Sequence, residues 1–134
     1  MWQCKQGKCV LVPSGPDEKK HLFAILLDPV QIESYGSKRC VIMVGVTSIR
    51  NDIPYDNACV LAEGDHPFIK HASYVDYRRA RIEQAEIIEQ YVKNGYFSEK
   101  EDCSTELLKH LIQGALNSRQ ISREIKKILH DLLP

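Results

Sequence analysis

Apolar residues fall in short, turn-bounded runs over the first three-fifths of the chain and at helical spacing over the remainder. Lys8-Cys9-Val10-Leu11-Val12 follows Gly7 and stops at Pro13-Ser14-Gly15-Pro16, a strong turn signal. Asp17-Glu18-Lys19-Lys20 is a solvated charge cluster. The run at 21–27 is compact and apolar and is bounded by Asp28-Pro29, so it reads as a strand buried on both faces. A loop at 34–38 leads to a Val- and Ile-rich strand at 39–46. After a loop at 51–57, a strand at 58–62 closes at Glu63-Gly64-Asp65, and Phe68-Ile69 and Tyr74-Val75-Tyr77 fit short further strands. Turns recurring about every ten residues suggest a small barrel or sandwich.

The period then changes. From about Tyr77, the residues Ala80, Ile82, Ala85, Ile87, Ile88, Tyr91 and Val92 recur at helical spacing, and Asn94-Gly95 is a helix stop. Ser98-Glu99-Lys100-Glu101 fits a capping box ahead of an apolar face of Leu107, Leu108, Leu111, Ile112, Ala115 and Leu116. Asn117-Ser118 breaks that pattern, and Ile121, Ile125, Ile128, Leu129 and Leu132 continue it as a final helix. The expectation is an α+β, β-rich chain forming one domain, with a barrel core over 1–77 and two or three helices over 78–134. Those helices either cover an open barrel face or dock onto a partner.

Composition adds little to this picture, and charge adds more. The 134 residues are 43% hydrophobic and 27% charged, with a formal net charge of zero. A protein devoted to gripping nucleic acid usually carries a basic excess, so any such role must be local. The segment 66–81 supplies a local excess: Lys70, Arg78, Arg79 and Arg81 stand against Asp76, interleaved with Phe68, Tyr74 and Tyr77. Such a pattern can hold a phosphate chain and stack bases, or decorate the solvated start of a helix. No stretch approaches the roughly 20 apolar residues that span a bilayer, and no apolar signal core opens the chain, so a cytoplasmic protein without membrane contact is expected. Five cysteines, Cys4, Cys9, Cys40, Cys59 and Cys103, are odd in number and scattered. They argue against a disulfide framework, and Cys4 and Cys9 are too widely spaced for a paired zinc knuckle. Neither a metal nor a cofactor is expected.

The strand Val41-Ile42-Met43-Val44-Gly45-Val46 ends in Thr47-Ser48-Ile49-Arg50, delivering hydroxyls and a cation to its tip. Together with Gly7-Lys8-Cys9-Val10-Leu11-Val12, the buried strand at 22–27 and the later Ser73-Tyr74-Val75, this order resembles the MazF/PemK-type toxins of bacterial toxin–antitoxin systems. The resemblance covers about residues 1–95 and rests on short motifs. It implies an SH3-like barrel of the CcdB/PemK class. It also implies a homodimer that cleaves single-stranded RNA without metal, using the RNA's own 2′-hydroxyl, and that is held by an antitoxin protein. Thr47 falls at the family's catalytic threonine. The family's Arg-Pro pair ahead of the second strand is replaced here by Lys20-His21.

That chemistry needs a base, an acid and positive charge at the phosphorane-like transition state. His21 suits proton transfer, Lys20 or Arg50 suits charge, and His66 suits a second proton transfer. Ser48, His66, Lys70, Tyr74, Arg78, Arg79 and Arg81 are the candidate RNA contacts. Each has a structural counterpart, since polar residues at strand ends commonly serve turns. Two readings therefore stand: an RNA-cleaving enzyme, and a non-catalytic module that binds nucleic acid or a partner protein.

Overall fold

The computed structural model describes residues 1–14, 16 and 19–133. Gly15 of the expected turn and Asp17 and Glu18 of the charge cluster lie outside the described residues. The chain is α+β. Strands β1 (Cys9–Pro13), β2 (Lys20–Ile25), β3 (Val30–Gln31), β4 (Arg39–Ser48), β5 (Val60–Leu61) and β6 (Ser73–Gln84) precede α1 (Ala85–Lys93). Strand β7 (Ser98–Lys100) and helices α2 (Thr105–Asn117) and α3 (Arg123–Leu132) complete it. The sheet order is β5-β6-β4-β2-β1-β7, with β3 extending the β2 side of β4, and every pairing is antiparallel. Among the described residues β5 and β7 are the two ends, so the sheet is open.

Three expectations are corrected. Residues 77–84 are strand, not the first turns of a helix, because they pair with β4 through Cys40↔Gln84, Ile42↔Ile82 and Met43↔Arg81. The boundary placed after Tyr77 therefore falls inside β6. Ser98 opens β7 rather than a capping box, and β7 pairs with β1 at the sheet edge. The caps of α2 and α3 are Ser104 and Ser122, whose hydroxyls accept from the Leu107 and Ile125 amides. Phe68-Ile69 is not strand; the Ile69 amide closes a turn onto the His66 carbonyl. The helix stop at Asn94-Gly95 is where the pattern put it, with Gly95 at φ +84° ending α1.

Both faces of the sheet are covered, which explains why β4 is apolar at successive positions. One face presents Leu11, Leu22, Ala24, Ile42, Val44, Val75 and Tyr77 to α2 and α3. Leu111 and Leu129 are fully buried there, each worth about 1.5–3 kcal/mol on hydrophobic transfer. The other face presents Val10, Val12, Phe23, Ile25, Val41 and Met43 to Ala85 and Ile88 of α1 and to Phe97. Short α1 covers only part of this second face.

Candidate functional site

Where α1 gives out, the second face becomes polar. His21 and Phe23 of β2, Gly45 and Thr47 of β4, and Asp76, Arg79 and Arg81 of β6 line a cleft of about 270 Å³, rimmed by Pro13 and Ser14. Strand alternation builds it: residues two apart share a face, so Phe23 and His21 continue the row begun by Ile25, and Gly45 and Thr47 continue the row begun by Val41 and Met43. Register brings the rows together, with Phe23 opposite Gly45, Gly45 opposite Asp76, and Thr47 opposite Tyr74.

A bulge delivers the cations. Between the pairs Met43↔Arg81 and Gly45↔Asp76, Val44 alone of β4 stands opposite four residues of β6, 77–80. Extra residues in one strand re-aim its side chains. Tyr77 turns into the core, where its hydroxyl donates to the Leu111 carbonyl at 2.7 Å. Arg79 stays at the surface, with Nε 3.6 Å from the Asp76 carboxylate. Arg81 lies over the Phe23 ring, 4.7 Å from its centroid, within cation–π range. Its guanidinium is also 4.0 Å from Glu83.

His21 Nδ1 lies 2.7 Å from Ser14 Oγ. Burial lowers the His21 pKa from its ordinary value, Lys19 and Arg79 lower it further, and Asp76 opposes them. The imidazole is accordingly neutral near pH 7. Because Ser14 occupies Nδ1, Nε2 is the ring nitrogen left for a ligand. Beside Thr47, the ring of Tyr74 packs against exposed Tyr55, with centroids 5.1 Å apart. The arrangement thus combines a neutral imidazole, a hydroxyl, two guanidiniums and an aromatic shelf. These groups can bind a phosphodiester, move a proton at it and stack an adjoining base.

Of the residues singled out from sequence, His21, Thr47, Arg79 and Arg81 meet in this cleft, and Tyr74 adjoins it. The others lie elsewhere. Lys20 and Ser48 neighbour His21 and Thr47 on their strands and therefore point to the opposite face. Arg50 lies beyond β4 and is exposed, 3.2 Å from Asp52. Arg78 and Lys70 are exposed and contribute nothing to the cleft lining. His66 is a core residue, 1% exposed; its Nε2 is 2.7 Å from the Glu101 carbonyl and its Nδ1 accepts the Phe68 amide at 3.0 Å. Both ring nitrogens are satisfied, so the turn role holds for this histidine.

Sequence reasoning overlooked Ser14, Phe23, Gly45, Tyr55 and Asp76 as site residues. Alternation alone could have flagged Phe23 and Gly45, each two positions from a chosen residue. Among the described residues no group of three or more His, Cys, Asp or Glu side chains is placed to hold a metal ion, and no helix is long and apolar enough to cross a membrane. No protein-family model, curated protein or solved structure matches the chain.

Proposed function

We propose that the cleft binds single-stranded RNA and cleaves it without metal, by attack of the RNA's 2′-hydroxyl on the adjoining phosphate. The observation that carries this reading is the convergence of His21, Thr47, Arg79 and Arg81 from three strands onto one small cleft. In the step, the 2′-oxygen–phosphorus bond forms and the bond from phosphorus to the 5′-oxygen breaks. Neutral His21 takes the 2′-hydroxyl proton at Nε2 and the leaving oxygen is protonated from solvent. Arg79 and Arg81 neutralise the charge that gathers on the phosphoryl oxygens. Thr47 donates to one of those oxygens, and Tyr74 with Tyr55 stacks a neighbouring base. In this scheme the two arginines of β6 take the role of the cation that the resembled family places ahead of its second strand.

The finer fold assignment belongs to the same proposal: the open sheet is a variant of the SH3-like barrel. So do a homodimer and an antitoxin-like protein partner occupying the cleft. The test is incubation of the purified protein with single-stranded RNA in EDTA. Cutting is expected, with His21→Ala and Thr47→Ala each slower by at least about tenfold, a floor set below the roughly 100-fold or more that a positioned proton-transfer group such as His21 contributes. Intact RNA would sink the catalytic reading.

A second reading has its own support. Asp76 and Glu83 stand beside Arg79 and Arg81, and Lys20 faces away from His21. A cleft whose cations are partly neutralised suits a module that binds nucleic acid without cutting it. Salt-sensitive binding with no cleavage is its signature.

A further inference from the structure

Cys9 and Cys103 lie 94 positions apart in the chain, yet their sulfurs are 3.4 Å apart. Both are free thiols. The pair is held from both sides. Cys9 opens β1 and is fully buried, opposite Lys100 of β7. The chain leaves β7, and the Cys103 amide donates to the Gly7 carbonyl at 2.8 Å. The next residue, Ser104, caps α2. Cys103 is therefore fixed between a backbone bond to the β1 lead-in and a helix cap, and it is the partly exposed member of the pair.

We propose that Cys9 and Cys103 form a reversible disulfide under oxidation by a hydroperoxide, fastening β1, the strand beside the β7 edge, to the start of α2. The two sulfurs already touch, and only a short approach separates them from the roughly 2.05 Å of a disulfide. The balance is simple. The Cys103 thiolate attacks a peroxide oxygen, the O–O bond breaks, and a sulfenic acid forms as the peroxide's other oxygen leaves as water or alcohol. The Cys9 sulfur then attacks the sulfenic sulfur, the S–O bond breaks, and water leaves with the Cys9 proton. Two thiols are oxidised by two electrons and one peroxide is reduced.

The order of events follows from the surroundings. The two sulfurs share a hydrogen bond, which lowers the Cys103 pKa and, with burial, raises that of Cys9. Cys4 and Cys59 are pushed up to about 12 and about 11, chiefly by burial, and Cys40 is raised for the same first reason. Cys103 thus has the greatest thiolate character of the five and the readiest access to solvent, the two properties that select a cysteine for oxidation. Cys9 waits within contact distance as the resolving thiol.

The test uses the intact protein. Reduced protein is treated with hydrogen peroxide, remaining thiols are alkylated in denaturant, and a non-reducing digest is read by mass spectrometry. A peptide linking Cys9 to Cys103, lost on treatment with dithiothreitol, is the expected main product. Cys103→Ser should abolish it, and Cys9→Ser should leave Cys103 as a sulfenic acid trapped by dimedone. Recovery of both residues as alkylated thiols, progression of Cys103 to sulfinic acid in the unaltered protein, or linkage of Cys103 to a cysteine of another copy would each overturn the proposal. The first measurement needs no variant, so a misfolded Cys9→Ser protein does not shield the idea.

Discussion

Gly45 and Phe23 are cross-strand partners packed so closely that a Cβ at position 45 would lie 2.8 Å from the Phe23 ring. The ring fills the space a side chain would take, and Arg81 rests on it. The floor of the cleft and the position of one of its cations thus depend on a missing methyl group. Gly45→Ala should force the ring aside, costing about 1–3 kcal/mol as over-packing does. It should also weaken RNA binding by displacing Arg81. Urea unfolding checks the first effect and fluorescence anisotropy the second. An alanine variant as stable and as tightly binding as the parent would show that the ring yields without consequence.

Arg79 and Arg81 are the cleft's guanidiniums, whereas Lys20, Arg50 and Arg78 lie off it. On single strands each neutralised phosphate contributes about −0.7 to the slope of log affinity against log salt. Arg79→Ala with Arg81→Ala should flatten that slope by roughly 1.4 if each meets one phosphate. Lys20→Ala, Arg50→Ala and Arg78→Ala should leave it nearly unchanged. A titration of affinity against salt separates the two sets, and an equal loss from both would move the binding surface away from the cleft.

His21 carries a pH signature. Its folded-state pKa lies below the ordinary 6.5, chiefly through burial. Between that depressed value and 6.5 the unfolded chain binds more protons than the folded one. The folded state should therefore be unaffected by this group above pH 6.5 and lose stability as pH falls through the window beneath it. Urea midpoints measured from pH 7.5 downward should drop more for the parent than for His21→Asn. Cleavage should show an acid limb in the same window, because protonated imidazole is no base. Parallel midpoint curves for parent and variant would argue against a shifted His21.

Ser118 anchors the helical layer on the face of the sheet opposite the cleft. Its buried hydroxyl donates to the Asp56 carboxylate at 2.6 Å and accepts the Gln120 and Ile121 amides, so the turn between α2 and α3 is tied to the segment before β5. Asp56 also accepts the Ala58 amide at 2.9 Å. Ser118→Ala leaves a buried carboxylate oxygen and two amides short of partners, which should cost about 2–3 kcal/mol. Denaturant unfolding measures it. Cleavage by the remaining folded protein should fall far less than with His21→Ala, because Ser118 reaches the site only through the segment that carries Tyr55.

Gly114 tests the packing of α2 on the sheet. In a helix, alanine normally stabilises over glycine by about 1 kcal/mol. Here a Cβ would collide with the Tyr77 hydroxyl and lie 2.7 Å from Cys59 Cβ. The clash should outweigh the propensity, so Gly114→Ala should destabilise by at least about 1 kcal/mol. A stabilised variant in thermal unfolding would mean that α2 sits farther from Tyr77 than its 2.7 Å bond to Leu111 implies.

Much of the scaffold was legible in the sequence because apolar runs and turn residues act locally. Strands β1, β2 and β4, the stop at Gly95 and the break at Ser118 all follow from neighbours in the chain. The misreading of 77–84 has a physical cause. Ala80, Ile82 and Ala85 satisfy a helical period, but pairing with β4, a tertiary effect, decides the conformation. His21 and Thr47 could be chosen together from their places at strand tips. That Arg79 and Arg81 join them, and that Arg78 does not, depends on a bulge opposite Val44 that local sequence does not announce. His66 illustrates the converse: its partners, the Glu101 carbonyl and the Phe68 amide, become visible only once the chain has folded.

The most direct measurement is end-group analysis after exposure of one sequence, as single-stranded RNA and as single-stranded DNA, to the protein in EDTA. Attack by the 2′-hydroxyl should leave RNA fragments ending in a 2′,3′-cyclic phosphate and beginning with a 5′-hydroxyl, while the DNA is bound and stays whole. RNA that remains uncut, or DNA cut as readily as RNA, would contradict the assignment of this chemistry to His21, Thr47, Arg79 and Arg81.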